Sequence, residues 1–168
     1  MKSQLKTTPQ DHQQGPASAP YTLVEYGDYQ CPSCKQVLPL VRKLEKHFGD
    51  KLRFIFRNFP LEQHDFAEMA AETAEFAAEH GKFWEMHDLL YKQQDHFSEE
   101  LFPKLASQIG LDPAALTKAL DSGKYASKVQ ADLTGGEKAG VQATPTFYVN
   151  GTQTEAFDFD SLVAEIEQ

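Results

Sequence analysis

Short β-prone runs and longer helical stretches alternate along this chain, and the switches between them mark its elements. Tyr21 to Tyr26 (YTLVEY) is apolar and β-prone, which predicts a first strand, and Gly27 with Asp28 breaks it. From Cys31 onward Val37, Leu40, Val41, Leu44 and Phe48 recur at three- and four-residue spacings, the pattern of an amphipathic helix, until Gly49 and Asp50 stop it. Leu52 to Phe59 (LRFIFRNF) alternates apolar and basic residues and predicts a second strand, ended by Pro60. Glu62 to about Gly140 is helical in period. AEMAAETAEFAAEH, KFWEMHDLLYKQ, SEELFPKLASQIG and DPAALTKALDSG each carry it, with Gly81, Ser98, Gly110, Asp112 and Gly123 where caps and stops belong. Residues 124–140 add one more helix, whose end Gly135-Gly136 leaves open. Strand character returns at Thr146 to Val149 (TFYV), and Asn150-Gly151 predicts a tight hairpin into a fourth short strand near Thr152 to Phe157. Asp160 to Ile166 closes the chain as a helix.

Strand, helix, strand, a block of helices, a hairpin and a helix predict an α/β fold. Its mixed four-stranded sheet is interrupted after the second strand by a helical insertion over about 62–140. Residues 1–19, polar and rich in Gln, Pro, Ser and Thr, read as a flexible arm ahead of a single domain over 20–168.

Composition narrows the function classes. The 168 residues carry a formal net charge of -9, which argues against binding nucleic acid or an anionic membrane surface through bulk electrostatics. No apolar run is long enough to cross a bilayer. The first twenty residues lack the apolar core of a signal peptide, so the chain as written is expected to be cytoplasmic, or extracytoplasmic if it is a mature or truncated form. A monomer is expected.

The chemistry concentrates in two cysteines, Cys31 and Cys34. A disulfide closing so short a loop would constrain the unfolded chain very little, and a structural zinc site needs about four ligands where no second cysteine pair exists. Redox use is the stronger reading. Glu25-Tyr-Gly-Asp-Tyr-Gln-Cys31-Pro-Ser-Cys34 puts the first cysteine between a strand and a helix, at a helix N-terminus. Unpaired N–H groups and the positive end of the dipole there favour the thiolate, the attacking form. Pro32 suits the first helical position, and Cys34 falls one turn in, within reach of a mixed disulfide on Cys31.

The stretches GPASAPYTLVEYGDYQCPSC, GKFWEMHDLLY and ATPTFYVNG, taken with the element order, resemble the DsbA-like branch of the thioredoxin superfamily. The nearest resemblance is to the bacterial group found alone or fused to some sodium/proton antiporters, and it covers residues 15 to about 168. It implies a thioredoxin fold and a protein-disulfide oxidoreductase, with Cys31 as nucleophile and Cys34 resolving. It also implies that Pro145, preceded by Thr144, sits in a cis peptide facing the cysteines and holds substrate backbone there. Glu25 takes the place of a buried carboxylate that exchanges a proton with Cys34. Pro32, Ser33, Thr144 and Pro145 are then the residues expected to meet substrate, and Pro39 kinks the first helix. Ser33 departs from the most oxidising relatives, which carry a histidine there. Without that cation, a less depressed Cys31 pKa and a milder oxidant are expected.

The implied partners are protein thiols or disulfides and a redox recycling partner, with no cofactor beyond the Cys31–Cys34 disulfide and no metal. The direction of exchange stays open between oxidase, isomerase and reductase. The alternative class is a soft-metal module that binds copper through the same two thiolates, although no Met or His flanks CPSC. Tyr26, Tyr29, Phe147 and Tyr148 are expected to divide between core and a substrate groove. The six histidines are expected to be scattered over the surface. The Met, Trp and Phe residues of the helical block are expected to pack its core.

Overall fold

The computed structural model describes residues 4–168. Its five strands are β1 (His12–Gln14), β2 (Tyr21–Gly27), β3 (Leu52–Asn58), β4 (Thr146–Val149) and β5 (Thr152–Thr154), lying side by side in the order β1-β3-β2-β4-β5. The β2–β3 pair is parallel and the other three pairs are antiparallel. Helix α1 (Pro32–Phe48) crosses over from β2 to β3. Helices α2 (Ala67–Glu79), α3 (Phe83–Lys92), α4 (Leu101–Gln108), α5 (Pro113–Ser122) and α6 (Ala126–Ala139) form the insertion, and α7 (Phe159–Ile166) follows β5. This is the thioredoxin fold with its helical insertion, as the sequence implies. Among the described residues no helix is long and apolar enough to cross a membrane.

The two-residue period of the strands divides the core into two layers. Leu23, Phe54, Phe56, Phe147 and Val149 face α1, α7 and most of the insertion, including Val41, Leu44, Phe76, Met86, Leu90, Phe102 and Leu162. Val24, Tyr26, Ile55 and Tyr148 face the other way, toward Phe59, Leu133 and Val141. Glu25 follows the parity of Leu23 and pairs with Phe56, so its carboxyl enters the first layer, on the side of α1.

The sheet has one strand more than the four expected. His12–Gln14, assigned to a flexible arm, forms β1 and pairs antiparallel with Phe54–Phe56. Contacts distant in sequence tie the arm down. Arg57 donates to both oxygens of Asp11 (2.8 and 2.9 Å) and to the Lys6 carbonyl, and Trp84 Nε1 donates to the Gln13 carbonyl at 3.1 Å. The His12 ring stacks on Phe83 with centroids 3.8 Å apart, and Leu5 N–H bonds the Gly151 carbonyl. Residues 1–3 of the expected arm lie outside the described residues.

Local signals set most boundaries. Asp112 caps α5 by accepting from Ala114 N, and Gly123 and Gly140 end α5 and α6 in the left-handed conformation. Asn150 (φ 48) and Gly151 (φ 90) make the tight β4–β5 turn. Helix α6 runs straight through Gly135-Gly136. Gly136 belongs there because a Cβ would lie 2.7 Å from Phe59 and 3.0 Å from Tyr26. Two expectations about surface residues fail. His87 is fully buried, ringed by Tyr29, Phe56, Phe83, Trp84 and Tyr91. Tyr26, Tyr29, Phe147 and Tyr148 all lie in the core.

Candidate active site

Cys31 is the N-cap of α1, with extended backbone (φ -75°, ψ 121°) and Pro32 at the first helical position. Asp28 builds the turn that delivers it. The Asp28 carbonyl accepts from Cys31 N–H at 3.1 Å, and its Oδ1 accepts from Gln30 N–H at 2.7 Å. The other carboxylate oxygen accepts from Leu61 N–H (2.9 Å) and bonds His64 Nδ1 (2.7 Å), joining the loop after β3 to the active-site turn. Gly27 leaves room beneath: a side chain there would meet Phe56 at 2.5 Å and Glu25 Oε2 at 2.8 Å.

The two sulfurs differ in access and in acidity. Both are free thiols, with Cys31 6% exposed and Cys34 1%, so an incoming substrate reaches Cys31. The Cys31 thiol is lowered from the ordinary thiol value to about 5. The largest cause is a hydrogen bond from the Cys34 side chain. The Thr144 side chain and the N–H groups of Cys34 and Ser33 add to it, and burial opposes it. Burial, first, and the hydrogen bond to Cys31 hold Cys34 far above the ordinary range. One sulfur is therefore an anion at neutral pH and the other keeps its proton.

Thr144 and Pro145 stand against the nucleophile, and the peptide between them is cis. The protonated Cys31 sulfur donates to the Thr144 carbonyl at 3.6 Å, while the Thr144 hydroxyl is buried and otherwise unpaired, free to turn toward the sulfur once it is ionised. A groove of about 570 Å³ opens beside them, lined by Ser33, Val37, Leu40, Thr144, Pro145 and Phe157. Phe157, 48% exposed, is the exposed large apolar side chain among the described residues. Glu25 is buried to 3% with Oε2 unpaired. Burial raises its pKa to about 8; the charge of Arg42 opposes this and that of Cys31 reinforces it.

The structure thus gathers Cys31, Cys34, Pro32, Ser33, Thr144 and Pro145 at one end of the sheet, with Glu25 in the layer beneath. Pro39 lies inside α1. Sequence reasoning missed three contributors. Asp28 gave a usable signal, an acidic residue in a turn bonding two residues onward. Phe157 and Gln94 gave none. Gln94 sits in a polar run, yet its buried amide bonds the carbonyls of Tyr29 and Cys31.

Such a fold, with a cysteine pair at the start of α1 opposite a cis-proline, defines the class of thioredoxin-like proteins. A family model described as Thioredoxin matches residues 7–168, and the chain belongs to that family. It is 39% identical over 158 residues to the Na(+)/H(+) antiporter NhaA 3 of Salinispora tropica, a match spanning 93% of this chain and 24% of that protein. The chain therefore covers about a quarter of that relative's length. Oxidised BdbD from Bacillus subtilis superposes with a TM-score of 0.82 at 31% identity, covering 93% of this chain and 92% of that one. Wolbachia pipientis alpha-DsbA1 superposes with a TM-score of 0.84 at 20% identity, covering 97% and 92%, a likeness of fold. With the cysteine pair, these likenesses place the chain among DsbA-like thioredoxin-superfamily domains.

Proposed function

We propose that the protein exchanges disulfides with protein thiols through Cys31 and Cys34. In the oxidising direction a substrate thiolate attacks Cys31 Sγ of the Cys31–Cys34 disulfide, the S–S bond breaks, and Cys34 leaves and takes a proton, for which Glu25 is the nearby buried acid. The substrate is then joined to Cys31. A second substrate thiolate attacks the substrate sulfur, forms the product disulfide and expels Cys31 as a thiolate. The enzyme has gained the two electrons the substrate lost. Run backward, the same steps reduce a disulfide, with Cys31 attacking and Cys34 resolving.

The observation that carries this reading is the Cys31 sulfur at a helix N-terminus, more exposed than Cys34 and set beside Thr144–Pro145 and an apolar groove, with a pKa lowered to about 5. A thiolate of such low pKa is a good leaving group, and its stability favours the reduced enzyme, so the oxidising direction is preferred. With Ser33 in place of a histidine, the protein is expected to oxidise less strongly than relatives that carry that cation. The backbone around Thr144 and Pro145 is proposed to align substrate chain, and the groove to take its apolar side chains.

Insulin reduction and oxidation of a reduced model protein test the proposal. Wild type is expected to catalyse both. Cys31→Ser should abolish both, and Cys34→Ser should accumulate a mixed disulfide on Cys31. Undiminished exchange by Cys31→Ser would overturn the reading, as would a reduced protein that binds Cu(I) tightly but exchanges no disulfide.

A further inference from the structure

We propose that Gln94 is a positioning residue. Its side-chain amide, reaching in from the helical insertion, fixes the Tyr29–Cys31 turn that delivers the reactive sulfur to the start of α1 beside Thr144. The proposal rests on the disulfide-exchange reading and assigns part of that site to the insertion.

Gln94 opens a single turn of 3-10 helix (Gln94–His96) between α3 and α4 and is 8% exposed. Its Nε2 lies 2.8 Å from the Tyr29 carbonyl and 2.9 Å from the Cys31 carbonyl. A primary amide has two hydrogens, so both bonds form at once, and among uncharged side chains only Gln and Asn offer two donors on one planar nitrogen. Those carbonyls bracket Gln30 and Cys31, so holding both fixes the backbone of the residues that deliver the sulfur. Asp28 holds the N–H groups of this turn and Gln94 holds its carbonyls, where the first helical bond, Lys35 N–H to the Cys31 carbonyl, is long at 3.3 Å. Helix α3, which leads into the 3-10 turn, grips Tyr29 as well. The Tyr29 hydroxyl bonds His87 Nδ1 at 2.8 Å, and its ring packs 5.0 Å from that of Tyr91.

The chemical consequence follows from where the sulfur must lie. Cys31 Sγ sits at the N-cap of α1, 3.6 Å from the Thr144 carbonyl. Its pKa is lowered first by the Cys34 thiol, then by the Thr144 side chain and by the N–H groups of Cys34 and Ser33, which the first turn of α1 places. If the N-cap backbone drifts, the sulfur leaves the line of those donors and its proton returns. Packing of the insertion against the sheet would survive, which separates positioning from a purely structural role.

Gln94→Met keeps the length and removes both donors. The reduced variant is titrated by thiolate absorbance, and its redox potential is measured against glutathione beside wild type. The Cys31 midpoint is expected to rise by about one unit, roughly a tenfold loss of thiolate below the midpoint, and the potential to become more reducing. A folded Gln94→Met with the wild-type midpoint and potential would overturn the proposal. Wild type supplies a second measurement that needs no variant. Both Gln94 side-chain amide protons should exchange slowly and their chemical shifts should follow the Cys31 titration, whereas fast exchange or unresponsive shifts would overturn it. A wild type unable to exchange disulfides would instead overturn the functional reading.

Discussion

Glu25 shows how far one residue's environment governs its chemistry. On an exposed strand it would be an ordinary carboxylate, but its strand parity sends it into the layer below α1, where burial raises its pKa to about 8. A carboxyl raised in this way favours the folded state while protonated. Its contribution is complete below the ordinary value of 4.5 and is lost as pH climbs through about 8. Glu25→Gln removes that dependence. Urea denaturation of the reduced proteins should show wild type losing stability relative to Glu25→Gln between these limits, and parallel pH profiles would show that the carboxyl is not held this way. The cysteine pair and Pro32 between them were legible at this scale because the signal is local: four residues at a strand-to-helix switch. Gln94 was not. Nothing in KQQDH distinguishes a surface glutamine from one whose amide turns inward onto two carbonyls, since that depends on a turn more than sixty residues earlier.

Helix α6 carries two adjacent glycines with opposite constraints. A Cβ at Gly135 meets nothing, whereas at Gly136 it would fall within 2.8 Å of two Phe59 ring carbons. Gly135→Ala is therefore expected to stabilise the protein by up to about 1 kcal/mol through helix propensity. Gly136→Ala should cost about 1–3 kcal/mol through overpacking. Thermal or urea unfolding of the two variants checks the contrast, and equal effects would contradict it. Helical period announced α6 but could not show which glycine touched the sheet. Element types elsewhere were legible because each had a strong period and a marked end: Gly49 after α1, Asp112 before α5, and Asn150-Gly151 in the hairpin. Strand β1 was illegible for the opposite reason. His12–Gln14 is three polar residues with no strand propensity, and it pairs because Arg57, Arg53 and Trp84 bind that segment from elsewhere.

Across the whole molecule, the two faces of the sheet perform different tasks. One face carries the cysteines, Glu25 and helices α2 to α5 of the insertion. The other is sealed by α6, and beside it Arg57 joins β3 to Asp11 of the N-terminal segment and to the Tyr26 hydroxyl. The Arg57 and Asp11 side chains are 9% and 4% exposed, so removing one strands a buried charge. Arg57→Leu should cost about 3 kcal/mol or more in urea denaturation and release the arm to proteolysis. A loss within about 0.5 kcal/mol would show that the arm is held by other contacts. The overall architecture was readable from element order and from the family resemblance, while the closing of the arm onto the sheet required three dimensions.

Ultraviolet titration of the thiolate in reduced wild type tests the central claim most directly. One thiol is predicted to ionise with a midpoint at about 5, to vanish in Cys31→Ser, and to leave Cys34 protonated through neutral pH. A midpoint near the ordinary thiol value of about 8.5, or one that persists without Cys31, would contradict the account.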